Sequence, residues 1–306
     1  MKSKLLLLLS IALFFACKNK KINQIESSDS NDTVVTNKIV ANEKPYGTWT
    51  GLFISDSINY DKGENYSTIN RISIVIQNIN NDDVKGYSVV AGNIRPFTGT
   101  LKETDSTRYV VVKEPGDHKY DGTFKFNMAN KNDSIFGEWI SKRKDLPVIT
   151  RIYNLKKSSF KYDPKQILKP EIFEYDEGEV ESYPVIDWFS SKEKKEEIDG
   201  EEYVINVNRA ASDAIYNINA STTKLTEKEL KNLRKLDLEI IRNTIYARHG
   251  YSFSNKGVRQ YFDFVEWYIP LYTNVEDKLT QIEKDNIALL KRLEKYAEDY
   301  YQQYGR

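Results

Sequence analysis

The densest cluster of chemically capable side chains is Tyr246-Ala247-Arg248-His249-Gly250-Tyr251, followed at a distance by Trp267. Arg248 carries a planar guanidinium suited to clamping an anion. His249, one of two histidines, is the group that titrates nearest neutrality. Tyr246, Tyr251 and Trp267 offer flat faces for stacking. Together these five residues outline a small site for an anionic or carbohydrate ligand. Hydrolytic chemistry here needs a carboxylate or serine within reach of His249, and Glu266 and Ser252 are nearest in sequence. The same residues also suit a packed corner, with Tyr246 and Phe253 buried, Arg248 paired with a carboxylate and His249 capping carbonyls. Both readings stand at this level. One histidine and no metal-ligand spacing lead us to expect no metal, no cofactor and no enzyme activity.

These residues sit at the end of a helix. Leu238, Ile241 and Ile245 follow a spacing of three to four, which predicts a helix over 238–249. Asp237 is the expected N-cap, and Gly250 is the expected left-handed stop. Thr226-Glu227-Lys228-Glu229 reads as a capping box before a stripe of Leu230, Leu233 and Leu236. Lys256–Phe264 reads as a further helix. Thr280-Gln281-Ile282-Glu283 opens a long one, with Leu289, Leu290 and Leu293 on one face. Residues 220–306 are therefore expected to form a small all-α domain.

Tyr246-Ala247-Arg248-His249-Gly250 resembles the core of the YARHG domain family. So do the upstream Leu225–Leu230 run, the downstream Tyr261-Phe262 and Trp267-Tyr268-Ile269-Pro270, and Leu279, Glu283, Asn286 and Glu294. The resemblance spans about 221–296. It implies a bacterial, extracytoplasmic domain of the kind carried on lipoproteins or beside other cell-envelope modules, and it supplies no catalytic residue.

The N-terminus fits that setting. Lys2 and Lys4 precede an apolar run through Phe15 of about ten residues, too short for a permanent span. Ala16 then precedes Cys17, the only cysteine. The arrangement resembles a bacterial lipoprotein leader of residues 1–16, with Phe14 and Phe15 departing from the usual residues. The resemblance implies diacylglyceryl modification and acylation, by palmitate or a similar chain, at Cys17, hence attachment to a membrane. A lone cysteine forms no internal disulfide. Residues 17–44, rich in Ser, Asn, Asp, Thr and Lys, read as a flexible tether. The expected location is the cell envelope, leaning to the outer membrane, facing the periplasm or cell surface.

Residues 45–157 read as strands. The candidates are 47–54, 69–77, 84–91, 97–102, 109–113, 122–127, 134–141 and 149–155, separated by turn signals such as Gly92-Asn93 and Pro115-Gly116-Asp117. His118 falls in the latter turn as a solvated residue. Short strands without intervening helices predict an antiparallel up-and-down β-barrel, with a β-sandwich as the alternative. Gly47-Thr48-Trp49, repeated as Gly137-Glu138-Trp139, is similar to the Gly-x-Trp signature of lipocalin- and avidin-like barrels. The similarity implies that Trp49 closes one barrel end under an arginine, with Arg151 the candidate. It also raises the carriage of a small apolar ligand in a hollow interior.

Residues 158–219 read as an acidic connecting segment with apolar interruptions, and Asp199-Gly200 as a hairpin tip. Asp176, Glu177 and Glu179 lack calcium-loop spacing and read as a solvated acidic loop. Lysine plus arginine equals aspartate plus glutamate, 45 each. That balance implies no polyanion or polycation partner overall, and the helical domain is only slightly basic, far from the stripe that nucleic-acid binding needs, so no nucleic acid partner is expected. The 21 tyrosines hint at glycan contacts by stacking. The expected architecture is thus α+β and multidomain. The expected function is non-enzymatic binding of peptidoglycan or an envelope protein, with ligand carriage by the barrel and hydrolysis at Arg248-His249 as alternatives.

Overall fold

The structure is a computed structural model that describes residues 46–299, apart from 64–65, 105–106, 130–132, 171, 175–179 and 183. The expected leader, Cys17 and the expected tether lie outside the described residues, as do Asp176, Glu177 and Glu179.

Eight antiparallel strands close into a barrel in sequence order: β1 (Gly47–Ile58), β2 (Ile69–Asn80), β3 (Asp83–Val90), β4 (Asn93–Glu103), β5 (Arg108–Lys113), β6 (Gly122–Met128), β7 (Ser134–Ser141) and β8 (Val148–Ser158). Period-two patterning drives closure. In β6, burial alternates so that Phe124, Phe126 and Met128 point inward between half-exposed neighbours. Pairing of β8 with β1 leaves the barrel without edges. The β3–β4 turn is Ala91-Gly92, both at positive φ (52° and 77°), which suits a two-residue hairpin. Strand β4 therefore begins at Asn93, four residues earlier than its hydrophobic pattern announces, because the hairpin register pairs Val90 with Asn93.

The barrel is filled. Trp49, Phe97, Phe124 and Phe126 are essentially inaccessible, and Phe53, Trp139 and Tyr153 are buried with them. Phe53 sits among the rings of Phe124, Trp139 and Tyr153, with centroids 5.9–6.2 Å apart. A core packed with aromatic rings leaves no room for a carried ligand, which corrects the hollow-barrel alternative. The arginine expected over Trp49 is also placed differently. The register sets Arg151 beside Ser55 and Lys157 beside Trp49. Arg151 consequently lies over Phe53, 5.1 Å from its centroid, and Lys157 lies over Trp49 at 5.8 Å.

Two short strands, β9 (Ile172–Glu174) and β10 (Val180–Ser182), pair with each other. A longer hairpin joins β11 (Ile186–Ile198) to β12 (Glu201–Ala210) through Asp199 and Gly200, both at positive φ, as the sequence predicts.

The helices are α1 (Ala214–Asn217), α2 (Glu227–Leu230), α3 (Lys235–Arg248), α4 (Lys256–Phe262) and α5 (Gln281–Glu294). Leu236, Leu238, Ile241, Ile245 and Leu290 lie in their shared core. The Thr226 capping box forms, but its helix stops at Leu230, so Leu236 belongs to α3. Asp237 is not the N-cap of α3. It sits a turn further in, where its carboxylate accepts from the backbone N–H of Arg234 (3.0 Å) and of Ser212 (2.6 Å). That arrangement starts the helix three residues earlier than expected.

Among the described residues, barrel and helices belong to one compact unit. Arg71 of β2 donates from its guanidinium to the carbonyls of Tyr268 (2.5 Å), Glu266 (2.8 Å) and Asp263 (3.3 Å). Arg259 of α4 returns across the joint to the side chain of Asn70 and to the Ser67 hydroxyl. Ser252 accepts from the backbone N–H of Gly92 at 3.0 Å.

Candidate functional site

Helix α3 ends as the sequence requires, with Gly250 at φ 75°. A Cβ there would lie 3.0 Å from the Phe160 ring and 3.1 Å from the Ile269 carbonyl, so a side chain would be strained by the backbone conformation and would have to displace the Phe160 ring. The Gly250 carbonyl accepts from Leu271 and Tyr272 N–H, tying the helix end to the aromatic turn.

Arg248 and His249 are both 3% exposed. Among the described residues Arg248 pairs with no carboxylate. It donates to the Gln166 carbonyl at 2.7 Å and the Ser221 hydroxyl at 2.9 Å. Burial pulls its guanidinium down to about 10, against the attraction of Tyr162, Glu283 and Asp163, so it stays cationic at neutral pH. His249 does not cap carbonyls with its ring. Its Nε2 bonds the Glu283 carboxylate at 2.9 Å, and its ring stacks on Tyr162 with centroids 4.3 Å apart.

Glu283 is fully buried. It also accepts from Tyr162 Oη at 3.0 Å and from the N–H and hydroxyl of Thr280 at 2.9 and 3.1 Å. Burial alone would raise this carboxyl. Hydrogen bonds from His249, Ser221 and the Thr280 backbone outweigh it and hold the group down at about 2. The carboxylate that a hydrolytic reading needs beside His249 is thus Glu283, not Glu266. Ser252 is instead bonded to Gly92. Glu283 was legible as a capping-box residue. Tyr162 and Gln166, in the connecting segment, carried no signal, because only the fold returns that segment to the helix end.

The five predicted ligand residues separate. Tyr246 and Tyr251 line a pocket of about 440 Å³ on one side of α3 and α4. Trp267 lines a different, larger groove of about 1410 Å³. Arg248 and His249 line neither.

The pocket has an aromatic and aliphatic wall of Tyr246, Tyr251, Phe253 and Val258. Tyr251 packs on Tyr246 and edge-on to Phe253, with centroids 5.8 and 5.2 Å apart. Around that wall stand Asn243, Asn255, Asn274, Thr273 and Glu276. Arg242 also faces it, but its guanidinium is committed to Glu294 at 2.5 and 3.0 Å.

The groove is more apolar. Trp188, Phe189 and Phe264 line it while more than half exposed. Trp188 and Phe189 project from an irregularity in β11, where pairing with β12 lapses between Asp187 and Lys192. Their backbone N–H groups are satisfied by Gln260 Oε1 and Asp187 Oδ1, each at 3.0 Å. The rings are therefore held outward by a built structure. Trp267 is fixed by donation from Nε1 to the Ile167 carbonyl at 2.9 Å.

A chain with this filled barrel, buried Arg–His corner and two open pockets is defined as a barrel joined to a small helical module. Comparison with protein families identifies that module: residues 214–295 match the YARHG domain. The match begins upstream of the resemblance read from the motif, so it takes in α1 and runs through α5. Comparisons with curated proteins and with solved structures give no match. Among the described residues no helix is long and apolar enough to cross a membrane.

Proposed function

We propose that this chain is a non-enzymatic, extracytoplasmic binding module, attached to a membrane through acylated Cys17, that holds peptidoglycan. The carrying observation is the pocket beside Tyr246 and Tyr251, an aromatic wall ringed by carboxamides and hydroxyls. Flat rings stack on the apolar faces of sugars, and carboxamides both donate and accept toward hydroxyls. The size falls within the roughly 300–1,000 Å³ usual for small-ligand sites. The lipoprotein-like leader and the YARHG match support an envelope setting. In this reading Arg248 and His249 position the end of α3, and with it Tyr246 and Tyr251, without touching ligand.

The groove favours a second reading, an envelope protein as partner. Its volume exceeds that of ordinary small-ligand sites, and outward-held Trp188, Phe189 and Phe264 resemble the anchors of protein interfaces.

The test is retention of the lipid-free chain, from Lys18 onward, on purified sacculi, with Tyr251→Ala and Trp188→Ala beside it and a thermal melt for each. Retention lost in Tyr251→Ala and kept in Trp188→Ala supports the pocket. Absence of retention by the folded wild type sinks the peptidoglycan reading.

A further inference from the structure

We infer that the Tyr246–Tyr251 pocket seats the N-acyl group of a neutral amino-sugar residue; this rests on the glycan-binding reading above and names the part of the glycan that is read. Asn243 is 7% exposed and lines the pocket. Its Oδ1 accepts from Arg242 at 3.2 Å, while its –NH₂ has no acceptor among the described residues. That –NH₂ is not sealed from solvent, because Arg259 Nε is the one buried side-chain polar atom among the described residues left without a partner; on a residue that lines the pocket, it is a donor open to a ligand. A ligand that engages this donor brings a hydrogen-bond acceptor to Asn243.

Charge narrows the class. Arg242 is neutralised by Glu294, and Glu276 adds a carboxylate to the pocket lining. Burial and the neighbouring Glu276 raise the Tyr246 phenol, so it remains a neutral hydroxyl. Among the described residues that line the pocket Arg242 is the one cation, and it is paired, so a phosphate or free carboxylate would meet repulsion from Glu276. The acceptor is thus an uncharged carbonyl. Phe253 and Val258 supply apolar surface, which suits a small methyl group on that carbonyl. Tyr251 supplies a ring face, and Asn274 and Thr273 supply partners for hydroxyls. An acetamido group on a pyranose ring meets each demand at once. A peptide amide shares the carbonyl but lacks the ring of hydroxyls that the polar lining is built to meet.

The experiment is a calorimetric titration of the lipid-free chain with the trimer of N-acetylglucosamine, with the glucosamine trimer and with an N-acetylated dipeptide amide, beside the sacculus assay. The acetylated trimer is expected to bind saturably. The glucosamine trimer is expected to be weaker by about tenfold or more, even though its positive charge would be attracted by Glu276. Asn243→Asp, which removes the donor, is expected to weaken the acetylated trimer similarly. Asn274→Ala, at the exposed rim, does the same should Asn243→Asp fail to fold. Equal binding of the two trimers, or tighter binding of the dipeptide amide, overturns the inference. So does sacculus retention without trimer binding, which leaves the peptidoglycan reading standing. Loss of both overturns the two together.

Discussion

Arg71 Nε, on barrel strand β2, donates to the backbone carbonyl of Tyr268 in the helical region at 2.5 Å. The same guanidinium reaches the carbonyls of Glu266 and Asp263, so one barrel side chain satisfies the carbonyls that follow helix α4. The barrel thereby completes the helical module.

Replacing Arg71 with Leu removes this donor from three carbonyls, of which those of Tyr268 and Asp263 are buried. We expect a loss of about 2–4 kcal/mol in urea denaturation. We also expect the single transition to separate into two, read by barrel tryptophan fluorescence and helical circular dichroism. One unbroken transition of unchanged midpoint would show that the joint contributes nothing.

Glu283 predicts acid sensitivity. Its folded value is about 2 against an ordinary 4.5. A group depressed on folding contributes stability that is present above its unfolded value and lost as pH falls toward its folded one. Stability should therefore decline from about pH 4.5 toward 2, and Glu283→Gln should flatten that decline while costing about 2–3 kcal/mol at neutral pH. Denaturation midpoints across pH 2–7 test both statements.

Asp263 acts in the opposite sense. Burial raises it to about 7 from 3.8, against attraction from Arg259, Arg71 and Arg151. Its contribution is present below about pH 4 and lost as pH rises through 7. Asp263→Asn should remove that part of the pH dependence, seen as a flatter stability profile between pH 4 and 8. An unchanged slope would mean that Asp263 is charged throughout.

Gly250→Ala should cost about 1–2 kcal/mol from the left-handed backbone alone, and more as Phe160 is pushed aside. Thermal denaturation reads it. A neutral outcome would show that the end of α3 can be rebuilt without a left-handed residue.

Trp188→Ala should leave stability within about 0.5 kcal/mol, because the ring is 67% exposed. Any loss of partner binding in that variant then reports the groove itself.

Much of this protein was legible in local sequence. Period-two patterning and turn chemistry located all eight barrel strands. Thr280 and Glu283 marked α5, Gly250 stopped α3, and Asp199-Gly200 turned the long hairpin. These signals depend on neighbours in the chain, so they survive without tertiary knowledge. The Tyr-Ala-Arg-His-Gly core likewise marked the module that the family comparison matches. What the sequence left open was which side chains meet. Five residues that looked like one site divide among a buried corner, a polar pocket and an apolar groove. Tyr162 and Glu283 approach His249 from 87 residues before and 34 residues after it. Asn243 and Asn274 share a pocket across the turn that Gly250 makes. The barrel's filled interior was equally undecided, since inward aromatics line a hollow barrel or pack a closed one depending on how their rings interlock. Such contacts depend on register and packing among distant segments, and only the tertiary structure sets them.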